Sequence, residues 1–72
     1  MKKSFKLKNI DCANCAGIIE EKISKLDGVN DAKINLAFGK FKIDMDDEKS
    51  EEILDEAMRI FDEVEPGSSF VR

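Results

Sequence analysis

Two cysteines, Cys12 and Cys15, are the only ones in the sequence, and they sit in the segment Ile10-Asp11-Cys12-Ala13-Asn14-Cys15-Ala16. Thiols at C-x-x-C spacing can point at one atom if the backbone between them turns. A loop running into the first turn of a helix does this. There the free N–H groups and the helix dipole favour anions, so both thiols are expected to shift toward the thiolate. Two chemistries follow, a soft-metal site or a redox pair. The chain has no histidine, and no second C-x-x-C completes the four ligands of a structural zinc centre. A two-thiolate site on an exposed loop is under-coordinated, so a ligand from another protein can attack the ion. That suits delivery or sensing better than storage. The candidate ions are Cu(I), Zn(II), Cd(II) and Pb(II). Asp11, directly before the first thiol, is either a further ligand that helps choose the metal or a helix N-cap.

The elements that must position these residues are legible from periodicity. Lys3 to Asn9 alternates, with Phe5 and Leu7 on one face, and reads as a half-buried strand. Ile10 breaks the alternation and plugs the cysteine loop into the core. Asp11 and Asn14 favour a turn and N-cap, and a helix is expected from about Ala13 to Asp27. Its apolar stripe is Ala16, Ile19, Ile23 and Leu26. Glu21 and Lys25 form an i,i+4 pair in the favourable order, and Gly28 stops the helix. Ile18 lies off the stripe, either as a lone surface residue or as part of a docking patch. Asp31 to Phe38 alternates again, with Ala32, Ile34, Leu36 and Phe38 expected inward. Gly39 marks a turn. Lys40 to Met45 alternates with Phe41, Ile43 and Met45 inward, which makes a hairpin. Asp46 to Lys49 reads as a polar loop and Ser50 as an N-cap. The second helix carries Ile53, Leu54, Ala57, Ile60, Phe61 and Val64 on a wide stripe. Pro66-Gly67 ends it, and Ser68 to Arg72 leaves a short last strand with Phe70 inward. The order β-α-β-β-α-β packs most simply as an α+β, ferredoxin-like domain over residues 1–72. It has one four-stranded antiparallel sheet with both helices on one face.

Composition narrows the function. No apolar run approaches the ~18 residues needed to cross a bilayer, so no direct membrane insertion is expected. Met1-Lys2-Lys3-Ser4 is basic, but no apolar stretch of a signal peptide follows. Closely spaced cysteines without a secretory signal point to a reducing, cytoplasmic setting. A net charge of −4 argues against a nucleic-acid partner. The charge is uneven: Lys2, Lys3, Lys6 and Lys8 crowd the start, whereas acids dominate from Asp44 to Glu65. The acidic stretch is either one solvated helix face or a surface for a basic partner.

With these residues in place the chain resembles the heavy-metal-associated domain. That family occurs at the N-terminus of metal-transporting P-type ATPases and as free metallochaperones. The resemblance rests on Asp11-Cys12-Ala13-Asn14-Cys15-Ala16, the continuing Ile19-Glu20, the turn Leu26-Asp27-Gly28-Val29, the strand end Ile34-Asn35-Leu36 and the element order. It implies a non-catalytic metal-binding domain with metal ligands Cys12 and Cys15. Copper members usually carry a methionine two residues before the first cysteine and a small polar residue directly before it. Here those positions hold Ile10 and Asp11, and the D-C-x-x-C form looks like the zinc, cadmium and lead branch. Cu(I) is content with two thiolates, whereas a divalent ion gains from an anionic oxygen, so the resemblance makes Asp11 a third ligand. It also implies other domains of a membrane ATPase as partners, the alternative being a free chaperone, including one for Cu(I).

Glu63 and Glu65 read as solvated helix acids and Met45 and Met58 as core residues. A thiol–disulfide oxidoreductase is the remaining alternative, but the chain lacks the Trp-Cys-Gly-Pro-Cys segment and opposing cis-proline usual in thioredoxin-like proteins.

Overall fold

A computed structural model describes residues 2–71. The elements are β1 (Lys2–Lys8), α1 (Ala13–Ser24), β2 (Val29–Asn35), β3 (Lys40–Met45), a 3-10 turn (Asp47–Lys49), α2 (Ser50–Val64) and β4 (Ser69–Val71). The strands form one sheet in the order β2-β3-β1-β4, and each pairing is antiparallel. This is the ferredoxin-like βαββαβ arrangement expected from the sequence.

The core lies between one face of the sheet and the two helices. Ile19 and Ile23 of α1 and Ile53, Leu54, Ala57, Ile60 and Phe61 of α2 meet Ala32, Phe41, Ile43, Met45 and Phe70 of the sheet. Each is an inward position of the alternating or helical pattern. Phe41 is fully buried, and its ring centroid lies 5.0 Å from that of Phe70 and 5.5 Å from that of Phe61. Burying a side chain of this size contributes roughly 1.5–3 kcal/mol, and offset aromatic pairs add to it.

Three local expectations are corrected. The first helix ends at Ser24 rather than Asp27, because the Ser24 hydroxyl donates to the Glu21 carbonyl (2.8 Å) and competes with the helix ladder. The second strand ends at Asn35 rather than Phe38. The Asn35 side chain accepts the Phe38 N–H (3.2 Å) and Gly39 takes φ +63, so the turn claims Leu36 to Gly39. Phe38 is consequently 77% exposed instead of inward. Ser50 is not the N-cap of the second helix. The polar stretch before it is the 3-10 turn, whose first N–H groups are capped by Asp46 through Glu48 N (3.3 Å).

The register fixes which loops share an end of the sheet. Lys6 pairs with Lys40 and Lys8 with Ser69. The segment leaving β1 therefore lies beside the Leu36–Gly39 turn and the turn between α2 and β4. The Leu26–Gly28 turn and the 3-10 turn lie at the opposite end.

Candidate metal centre

The chain leaves β1 through Asn9, the one described non-glycine residue with positive φ (+56). Asn tolerates this conformation better than most residues. Its side-chain amide donates to the Gly67 carbonyl (3.3 Å), tying the strand exit to the turn after α2. Ile10 then packs against the core, as its break in alternation implied.

Cys12, not Asp11, is the N-cap of α1. Its backbone is extended (φ −97, ψ 109) and its Sγ accepts the Cys15 N–H at 3.3 Å. The Cys12 carbonyl accepts from Ala16 N at 2.9 Å. A sulfur cap is a weak one, so the helix start forms around an acceptor that can be given up. Both cysteines are free and half-buried. Asp11 is exposed, and the structure does not bring it together with the thiols. Among the described residues no group of three Cys, Asp or Glu side chains converges on one point.

The two thiols are not equivalent, which corrects the expectation that both are lowered. A hydrogen bond from the Cys15 thiol, joined by the Cys15 backbone N–H, holds Cys12 below its usual value. Cys15 is pushed up to about 11. Its proton is held in the hydrogen bond to Cys12, partial burial disfavours its charged form, and the Cys12 thiolate repels a second charge. One thiolate thus shares the proton of the other, and an ion must displace that proton.

Both thiols also feel the negative charge of Glu65, which opposes their ionisation. Glu65 caps the C-terminus of α2. Its N–H donates to the Phe61 carbonyl (2.9 Å) and its carbonyl accepts from Ser68 N (3.0 Å). The buried Ser68 hydroxyl lies 2.6 Å from the same carbonyl and 2.9 Å from that of Phe61, fixing this turn. One carboxylate oxygen of Glu65, Oε2, is buried without a hydrogen-bond partner. Glu65 thus keeps an unpartnered anionic oxygen whose charge reaches both thiols, although the three side chains do not converge on one point. Glu63 behaves differently: it is exposed and pairs with Lys22 at 3.4 Å. Expecting both acids to be solvated thus holds for Glu63 and is corrected for Glu65. Chain position gave a signal that could have separated them. Glu65 stands beyond the last helical turn and next to Pro66-Gly67, where the chain bends back to the sheet.

A family model described as the heavy-metal-associated domain matches residues 4–60. A cadmium-transporting ATPase of Staphylococcus aureus is 43% identical over 53 residues, which cover 74% of this chain and 7% of that protein. The chain therefore spans a small fraction of the ATPases it matches. The copper chaperone CopZ of Staphylococcus saprophyticus is 32% identical over 47 residues, covering 65% of this chain and 69% of that one. Among solved structures, a CopZ metallochaperone superposes with a TM-score of 0.74 at 26% identity over 99% of this chain and all of that one.

Proposed function

The chain belongs to the heavy-metal-associated domain family, and from that premise we propose that it carries a soft divalent ion, Zn(II) or Cd(II), between other ligands. It is a metal-binding, non-catalytic domain, and the ion is its cargo. Cys12 and Cys15 supply two thiolates and a carboxylate supplies a hard anionic oxygen. Pb(II) accepts the same donors. The observation that carries this reading is the pair of free, half-buried thiols at the start of α1, joined by a shared proton. The unpartnered oxygen of Glu65, whose charge both thiols feel, supports it. Asp11, exposed and directly before Cys12, is the second carboxylate within reach by sequence. With two thiolates and one carboxylate the occupied site keeps one negative charge and an open fourth position, where a receiving ligand attacks. Likeness to cadmium-transporting ATPases supports delivery to other domains of a membrane transporter in the cytoplasm.

A second reading, a Cu(I) carrier, is favoured by the likeness to copper chaperones. Two thiolates suffice for Cu(I), so carboxylates discriminate the two. Competition titrations of Zn(II), Cd(II) and Cu(I) against wild type, Asp11→Ala and Glu65→Gln test this. The divalent reading expects the carboxylate variants to lose divalent affinity while holding Cu(I). Divalent affinities unchanged in both carboxylate variants, with Cu(I) held more tightly throughout, would instead favour the copper carrier.

A further inference from the structure

The face of the sheet turned away from the helices is basic. Residues alternating with the core positions place Lys2, Lys6 and Lys8 of β1, Lys33 of β2, and Lys40 and Lys42 of β3 on it, all exposed. Asp31 and Asp44 join them only at the end farthest from the thiols, where Lys2 pairs with Asp44. Lys6 stands directly opposite Lys40, and Lys33 directly opposite Lys42. Like charges in facing positions destabilise a sheet. Here they recur in a chain whose net charge is −4. The ion pairs Lys22–Glu63, Lys25–Glu21 and Lys49–Asp27 all lie on the helix side.

We propose that this lysine face, with the protruding Phe38, docks the domain on an anionic lipid surface. The proposal is independent of which metal is carried. Three observations choose lipid over other anions. Among the described residues the face carries lysine and no arginine, which suits diffuse attraction better than the bidentate recognition used for bases or phosphopeptides. Phe5, Phe41 and Phe70 point into the core, so the open face lacks the aromatic platform on which related sheets stack single-stranded nucleic acid. Protein interfaces are depleted in lysine at their centres. Clusters of four to eight lysines beside an exposed apolar side chain are the pattern that binds anionic leaflets. Phe38 supplies that side chain: it is 77% exposed in the turn between β2 and β3 and lines a shallow depression with Asn35, Lys40 and Lys42. The acidic α2 does not cancel the attraction. The molecule is 18 Å deep along its shortest axis, and charge is screened over about 8 Å at physiological salt. Docked this way, the cysteine loop lies at the same end as Phe38, close to the membrane plane.

Vesicle sedimentation tests the proposal with phosphatidylglycerol–phosphatidylcholine vesicles against phosphatidylcholine alone. The chain is expected on the anionic vesicles at low salt and free at about 1 M salt, where screening acts within ~3 Å. Lys6→Glu with Lys42→Glu turns both like-charge pairs into opposite pairs, so its melting temperature is expected to equal or exceed wild type. Its partitioning is expected to fall at least about 30-fold. Phe38→Ser should lower partitioning about tenfold. Lys22→Glu with Lys25→Glu makes the same net charge change on the helix side and should alter it by less than about threefold. Absence of binding to anionic vesicles at low salt overturns the proposal. So does an equal loss in both double variants, or binding to polyuridylate while vesicles leave the chain free.

Discussion

At the end of the sheet far from the thiols, two connections lock each other. Gly28 takes φ +94 in the turn after α1, and a Cβ there would come within 3.1 Å of Ile53 Cδ1 and 3.2 Å of Lys49 Cδ. The Gly28 carbonyl accepts from Asp46 N at 2.7 Å, and Lys49 pairs with Asp27 at 2.8 Å. Asp46 caps the following turn with oxygen. At the thiol end the helix is capped by the soft sulfur of Cys12, Glu65 keeps an orphaned oxygen, and Phe38 and Asp11 face solvent. Both ends contain a strand-to-helix junction. One satisfies its polar groups internally, and the other keeps an unpartnered carboxylate oxygen and a weak sulfur cap. On the proposed reading, stability and chemistry are placed at opposite ends of a small sheet.

Substitutions that act on one end only can break this division. The largest effect belongs to Cys12→Ser with Cys15→Ser. It is expected to lower Cd(II) and Zn(II) affinity by at least about a thousandfold while the melting temperature moves by only a few degrees, because serine still caps the helix. Loss of the fold would mean the thiols are structural. Gly28→Ala should do the reverse. It forces alanine into positive φ against Ile53 and is expected to cost roughly 1–3 kcal/mol in denaturant unfolding, with metal affinity unchanged in the folded fraction.

Within the thiol end, Glu65→Gln removes the anionic oxygen but keeps its shape. Divalent affinity is expected to fall about tenfold or more with Cu(I) affinity held, as seen by competition titration. A further effect falls on Cys15. Without the Glu65 charge its proton should leave more easily, and thiol alkylation against pH should shift to lower pH. Asp11→Ala should lower divalent affinity by a smaller factor, since Asp11 is exposed and the ion must draw it in. An unchanged Zn(II) to Cu(I) ratio in that variant would remove Asp11 from the ligand set, and Cys12 already fills the capping position.

The smallest effect is at the locked end. The Lys49 ammonium lowers Asp27, and Asp27 raises Lys49. The carboxylate's contribution is present above its unfolded pKa and lost as pH falls through its lower folded value. The ammonium's contribution is present below its unfolded pKa and lost as pH rises through its higher folded value. Asp27→Asn should therefore lower the melting temperature slightly at neutral pH and not at all in acid. The pair is exposed, so the shift should not exceed about 2 °C.

Much of this molecule was legible in the sequence because its apolar periods are clean. Alternation placed Phe41, Ile43 and Met45 in the core, and helical spacing placed Ile53, Ala57 and Ile60 there. What periodicity could not show was where a polar side chain would interrupt an element. The hydroxyl of Ser24 and the amide of Asn35 ended a helix and a strand early, and Asn35 thereby moved Phe38 from the core side to solvent. The cysteines announced the site, but the charge of Glu65 reaches the thiols from 50 residues away, through a turn set by Ser68, which no local pattern connects to the loop. The inequality of the thiols likewise needs the hydrogen bond between them.

The central claim is that the thiol end holds a displaceable soft divalent ion. A Cd(II) titration followed by the thiolate-to-metal ultraviolet band, with proton release measured in weak buffer, tests it most directly. The account predicts saturation at one ion per chain and release of at least one proton at neutral pH, since the hydrogen bond to Cys12 and partial burial push the Cys15 thiol up to about 11. Affinity should fall as pH falls, and excess thiol ligand should remove the ion rapidly. A titration with no thiolate band, or with no proton released, would contradict it.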